Sequence, residues 1–190
     1  MSLAVLGSCY GSDLIPIVEA INSGRLLAEV KVVLSNNELS GILKKAKKYG
    51  IENYFICHKN KKRDVFDFEM SEILENKKID LILLIGFMRI LSPRFVDRWD
   101  GKIINVHPSL LPKYAGGMNN DVHESVLAAG DEETGCSIHL VTKEVDGGPI
   151  LLQRSCPVFE SDSVESLKER VQKLEGEAFI EVINNWRSYE

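Results

Sequence analysis

An amide and an imidazole stand two residues apart in the run Asn105-Val106-His107-Pro108-Ser109-Leu110-Leu111-Pro112. A carboxylate opens the turn Asp146-Gly147-Gly148-Pro149 further along. An amide donates hydrogen bonds to a developing oxyanion, an imidazole titrates near neutral pH, and a carboxylate can orient and charge it. These are the parts of a centre that stabilises an oxyanion and moves a proton, so an enzyme is the leading reading. An aspartate beside His107 predicts a pKa raised from about 6.5 and a charged ring that can act as a general acid. The same residues have plainer uses. Asp-Gly-Gly-Pro is also the composition of a turn between strands. His107, His139 and Asp146 could bind zinc, but no HxxxH, HxH or HExxH unit supports a metal site. His139 and His123 read as structural neighbours of the centre, and His58 as exposed.

A second segment, Gly7-Ser8-Cys9-Tyr10-Gly11-Ser12, joins an apolar run to a helical one. A glycine turn entering a helix presents backbone N–H groups to an anion. It is neither a GxGxxG fingerprint nor a P-loop, and a tight strand-to-helix turn explains it equally well. The next residue, Asp13, suits a helix N-terminus but competes with a phosphate for the same donors.

The elements that must position these groups follow from hydrophobic spacing. Leu3–Leu6, Val30–Leu34, Tyr54–Cys57, Leu81–Ile85 and Lys102–Val106 read as strands. Between them, Leu14/Val18/Ile21, Leu39/Ile42/Leu43/Ala46 (stopped by Gly50) and Phe66/Met70/Ile73/Leu74 repeat with helical period. This βαβαβ pattern predicts an α/β fold with a parallel sheet and helices on both faces. Ligands then bind beyond the carboxyl ends of the strands, which places Gly11-Ser12, Met88-Arg89 and His107 on one rim. In the second half, Asn120–Ala129 reads as a helix, and Ser137–Val141 and Ile150–Cys156 as strands. Asp162 and Glu165 form a capping-box pattern before a long amphipathic helix carrying Val164, Leu167, Val171, Leu174 and Ala178. No repeat or linker divides the 190 residues, and one continuous sheet is expected.

Composition narrows the function classes. A formal net charge of −5 disfavours nucleic acid as a partner. The apolar run Leu81–Ile85 is too short to span a bilayer, and the N-terminal residues read as a strand rather than a signal peptide. Cys9, Cys57, Cys136 and Cys156 form no CxxC unit, which favours reduced thiols in a cytoplasmic protein over disulfides or zinc.

The chain resembles the folate-dependent formyltransferases, most specifically the members acting on glycinamide ribonucleotide. The resemblance covers nearly the whole chain and rests on Gly86-Phe87-Met88-Arg89-Ile90-Leu91, Asn105 to Tyr114, Gly130-Asp131-Glu132-Glu133-Thr134-Gly135, and His139 to Pro149. It implies a Rossmann-like open, mostly parallel twisted sheet with helices on both faces (the formyltransferase fold). Residues 1–190 would form a single formyltransferase domain, with a nucleotide-binding half (1–100) and a folate-binding and catalytic half (101–190). The implied reaction moves the formyl group of 10-formyltetrahydrofolate to the amine of 5-phosphoribosylglycinamide in purine synthesis, with no metal. Asn105 would hold the formyl oxygen. His107 would share that task and protonate the leaving nitrogen, and Asp146 would charge His107. Arg63, Met88, Arg89, Ile90, Leu91, Asn105, Thr142 and Asp146 would hold the folate. Gly11, Ser12 and Asp13 match the phosphate loop, and Glu175 a position that contacts the ribose hydroxyls. The partners implied are small molecules, for a monomer or homodimer.

The chain departs from the family pattern at Asp13, usually Asn, and Cys9, usually Gly. It also carries Ala115 to Asn120 where Pro-Gly usually follows Lys-Tyr. The rival activities are formyltetrahydrofolate hydrolysis, which uses the same Asn, His and Asp, and methionyl-tRNA formylation, which the acidic charge disfavours. A folate- or nucleotide-binding homologue without activity is the non-enzymatic alternative.

Overall fold

The computed structural model describes residues 1–117 and 120–189. Its strands are β1 (Ser2–Leu6), β2 (Glu29–Ser35), β3 (Asn53–Phe55), β4 (Leu81–Leu84), β5 (Ile103–His107), β6 (Glu133–Leu140) and β7 (Ile150–Pro157). They form one sheet in the order β3-β2-β1-β4-β5-β6-β7. Pairing is parallel from β3 through β5 and antiparallel from β5 through β7. The expected open, mostly parallel sheet is therefore present, and it runs through both halves of the chain.

The uninterrupted apolar runs of β1 and β4 have a direct cause: both faces of these strands are covered. Leu3, Val5, Leu81 and Leu83 pack into one core, with α1 (Leu14–Asn22), α2 (Gly41–Lys48) and α6 (Val164–Asn184). Ala4, Leu6, Ile82 and Leu84 pack into the other, with α3 (Arg63–Asn76) and α4 (Pro93–Arg98). The remaining helix is α5 (Asn120–Ala129), and a 3-10 turn follows α6 at Trp186–Ser188. No described helix is long and apolar enough to cross a membrane.

Some boundaries differ from the sequence expectation, each for a local reason. Leu39 is exposed and lies outside α2, because Ser40 takes the N-cap position. The third strand is only Asn53–Phe55, at the sheet edge against β2. Helix α4 was not expected; its signal is Ser92 followed by Pro93, and the Ser92 hydroxyl accepts from the Phe95 amide. The capping box of α6 is formed by Ser163 and Ser166 rather than Asp162 and Glu165. Asp162 is instead engaged by both outer nitrogens of Arg170, at 2.7 Å each. Met118 and Asn119, within the stretch that departs from the family pattern, lie outside the described residues.

The strand order reverses between β1 and β4, since β2 and β3 extend one way from β1 and the chain then returns to β1's other side. The loops after β1 and β4 separate there and leave a crevice. The expected rim forms at that point, with a cleft of 730 Å³ lined by Gly11, Ser12, Met88, Arg89 and His107.

Candidate active site

Asn105 and His107 are on the same strand, β5, and their side chains reach the cleft together with Asp146. Asp146 is in the loop between β6 and β7. Its backbone is left-handed, with φ of 52°, a conformation that costs energy for a residue with a Cβ and is held only by its surroundings. Gly148 makes the turn possible, because a Cβ there would lie 1.8 Å from the Leu140 carbonyl oxygen. The turn returns the carboxylate to His107, with Asp146 Oδ2 3.3 Å from His107 Nδ1. The Gly116 amide donates to the same oxygen at 2.8 Å.

The other face of the imidazole is also engaged. His107 Nε2 donates to the Tyr114 carbonyl at 2.9 Å. Tyr114 is held in place by its hydroxyl, which donates to Asp131 at 2.8 Å. The Leu110–Leu111 segment is pinned from β6: the Ser137 hydroxyl donates to the Ser109 carbonyl at 2.7 Å and accepts from the Leu111 amide at 3.0 Å. Sequence reasoning did not single out Ser137. As a buried serine in a strand it carries a readable signal, since a buried hydroxyl needs partners.

His139 completes the group. Its Nδ1 donates to the Leu140 carbonyl at 2.9 Å, and its Nε2 lies 3.1 Å from the Asn105 amide nitrogen. The same Nε2 is 3.5 Å from Asp146 Oδ1. An imidazole expected to be merely structural thus touches both Asn105 and Asp146.

The electrostatics correct one expectation. Burial pushes the His107 ring below its ordinary value, and the Asp146 charge and Tyr114 carbonyl pull it back without cancelling the effect. His107 is 3% exposed, so desolvation dominates. Burial also pushes the Asp146 carboxyl up, but His139, the Gly116 amide and His107 outweigh it, and the carboxyl stays below its usual range. At rest the pair is a carboxylate beside a largely neutral imidazole. Protonation would place a hydrogen on each ring nitrogen, one toward each acceptor.

The other expected residues fall at either end of the cleft. Met88, Arg89, Ile90, Leu91 and Thr142 line one end. Arg89 packs its guanidinium 4.7 Å from the centre of the Phe66 ring, and its Nε is buried without a partner among the described residues. Arg63 is different: it is the first residue of α3, exposed, and not part of the lining. Gly11, Ser12, Asp13 and Glu175 line the opposite end. The Asp13 side chain does not cap α1. It turns instead to Glu175 on α6, so it does not compete for the amides at the start of α1.

Two further residues belong to the cleft that the sequence reading passed over. Lys168 and Gln172 precede Glu175 at helical spacing on α6, and all three line the cavity. That i, i+4, i+7 stripe of polar residues was a readable signal. Ser8 joins the two loops at the crevice: its hydroxyl donates to Asn36 at 2.6 Å and accepts from the Met88 amide at 2.8 Å.

The family described as Formyl transferase matches residues 1–183. The chain belongs to the formyl transferase family. It is 39% identical to the phosphoribosylglycinamide formyltransferase of Escherichia coli over 187 residues, 98% of this chain and 86% of that protein. It is 44% identical over 178 residues to the trifunctional purine biosynthetic protein adenosine-3 of Bos taurus, covering 93% of this chain but only 17% of that much longer protein. Among solved structures, glycinamide ribonucleotide transformylase 1 of Symbiobacterium toebii superposes with a TM-score of 0.91 at 33% identity, over 96% of this chain and 85% of the other. In formyl transferase terms, the β5 pair, the left-handed Asp146 and the two lined ends form one continuous cleft.

Proposed function

We propose that the chain transfers the formyl group of 10-formyltetrahydrofolate to the amine of 5-phosphoribosylglycinamide, in purine biosynthesis. The observation that carries this reading is the placement of Asn105, His107 and Asp146 in one cleft with two chemically different groups of lining residues. One end, Met88 to Leu91 with Thr142, suits the folate: it offers apolar side chains and the unpartnered Arg89 Nε. The other end, Gly11 to Asp13 with Glu175, suits a ribosyl phosphate, with α1 amides for the phosphate and a carboxylate for hydroxyls.

In this reading the acceptor amine attacks the formyl carbon, forming a new C–N bond and an oxyanion. An amide nitrogen carries two hydrogens. Asn105 gives one to His139 and turns the other to the oxyanion. His107 exchanges its Tyr114 contact for the formyl oxygen and takes up charge as the oxyanion forms, with Asp146 stabilising that charge. The C–N10 bond then breaks, and the proton lost by the amine reaches the folate nitrogen by way of this pair. No metal or external oxidant enters the balance. We place the activity in the cytoplasm, in a single domain whose first hundred residues face the nucleotide and whose remainder faces the folate, acting as a monomer or homodimer on small molecules alone.

The deciding assay follows release of tetrahydrofolate from 10-formyltetrahydrofolate with and without glycinamide ribonucleotide. Turnover should depend on the nucleotide. Equal rates in both conditions would make the protein a hydrolase and overturn the transferase reading.

A further inference from the structure

The acceptor end of the cleft contains two carboxyl groups in contact. Asp13 is 4% exposed and Glu175 6% exposed. Asp13 sits at the start of α1 and Glu175 on α6, and the two side chains hydrogen-bond each other. The approach is built into the packing: Gly176, next to Glu175, lies so close to Pro16 of α1 that a Cβ there would be 2.5 Å from the proline ring. Two carboxylates cannot share a hydrogen bond, because neither has a hydrogen to give. A contact of this kind exists only with at least one proton between them. The second observation concerns the oxygen left over: Asp13 lines the cleft, and its Oδ1 is buried with no partner among the described residues. An acceptor held in that state awaits a donor from a ligand.

We propose that Asp13 is a positioning residue that acts through Glu175: the single proton they share fixes the Glu175 carboxyl toward the acceptor's hydroxyls, so the acceptor subsite is complete only while that proton is present. This rests on the acceptor reading given above. The charged and titratable groups facing the pair are Lys168 on α6, whose charge favours ionised Glu175, and Cys136 on β6, whose thiol is pushed well up by burial and by both carboxyls. His123 on α5 faces the same end and is coupled to Lys168. Burial raises Asp13 to about 7, opposed by its hydrogen bond from Glu175, and raises Glu175 well above its ordinary value with the Asp13 charge adding to it. Raising the pH above the ordinary carboxylate range therefore removes the proton, as a property of the pair.

The test compares wild type with Asp13→Asn and Asp13→Ala between pH 6.5 and 9, measuring KM for glycinamide ribonucleotide, KM for the folate, and kcat. The amide of Asp13→Asn donates to Glu175 without needing a proton. The wild-type to Asp13→Asn ratio of acceptor KM values cancels the titration of the substrate's own amine and phosphate. That ratio should rise about tenfold across the range, while the folate KM ratio stays level and the kcat profiles keep the same shape. Asp13→Ala should raise acceptor KM at every pH. A ratio that does not change with pH would overturn the proposal.

Melting temperatures give a readout independent of substrate identity. A carboxyl raised from 3.8 to about 7 on folding supports the folded state most below 3.8 and loses that support as pH rises through about 7. Wild type should fall progressively below Asp13→Asn in Tm as pH rises from about 4 to about 7. A constant Tm difference would show that the shared proton is absent, whereas a changing Tm difference with a flat KM ratio would show a shared proton that the acceptor does not use.

Discussion

The centre of the cleft and its acceptor end are built on opposite plans. At the centre, Asn105 meets His139, His107 meets Asp146 and Tyr114, and Asp146 meets the Gly116 amide. At the acceptor end, Asp13 Oδ1 and His123 Nδ1 are buried without partners among the described residues. A buried polar atom left unpaired costs about 1–3 kcal/mol, so the acceptor end is held in a less favourable state that a ligand can relieve. The centre is preassembled and its contacts must be exchanged for catalysis; the end is incomplete and must be filled. Chemistry and recognition are thereby separated along one cleft.

The largest expected effect breaks the centre. His107→Ala should lower kcat by about 10³-fold or more, and Asn105→Ala by about 10²–10³-fold, with both KM values within a few-fold of wild type in steady-state assays. If either variant instead raised only the acceptor KM, the division between centre and end would fail. Asp146→Asn removes a charge but keeps the shape, so a kcat loss of about 10–100-fold is expected. Asp146 is one of the groups pulling His107 upward, so the His107 titration observed by NMR should move to lower pH in this variant. An unmoved titration would refute the coupling.

A smaller effect concerns the acceptor end alone. Burial, with the charges of Lys168 and His107, pushes His123 down to about 4 from 6.5. The unfolded chain then binds a proton that the folded one refuses, so this contribution is fully present above pH 6.5 and declines as pH falls toward 4. Between pH 7 and pH 5 it should cost wild type up to about 2 kcal/mol, measured by urea unfolding. His123→Gln should lack this part of the decline, and a parallel decline in both proteins would show that His123 is not strained. Smallest is Ser8→Ala, which cuts the link from the β1 loop to the Met88 amide and Asn36. It should destabilise by about 1 kcal/mol and raise both KM values a few-fold with kcat nearly intact. A large kcat loss would mean that the two ends govern the centre.

Much of this was legible before folding. The two-face burial of β1 and β4 appears as unbroken apolar runs, and helical period marked α1, α2, α3 and α6. The short α4 escaped because six residues give too little period to read, although Ser92-Pro93 announces its start. At the site, the β5 pair and the Asp146 turn were readable from residue type, and all the expected site residues except Arg63 line the cleft. The stripe Lys168, Gln172, Glu175 was present as spacing, but nothing local says that this face of α6 turns to the cleft rather than to solvent.

The sequence by itself determined the doubly covered sheet, the rim on which the site gathers, and the chemical types at its centre. These depend on periodicity and on residue chemistry, which are local. Only the tertiary structure decided the protonation of those groups. An aspartate next to a histidine argues for a charged ring, yet burial of His107 outweighs it. A lone Asp13 argues for a helix cap, yet packing of α6 on α1 turns it to Glu175 and leaves a proton between them. Desolvation depends on everything packed around a group, and residues 162 positions apart in the chain meet only when the sheet and both helices are in place.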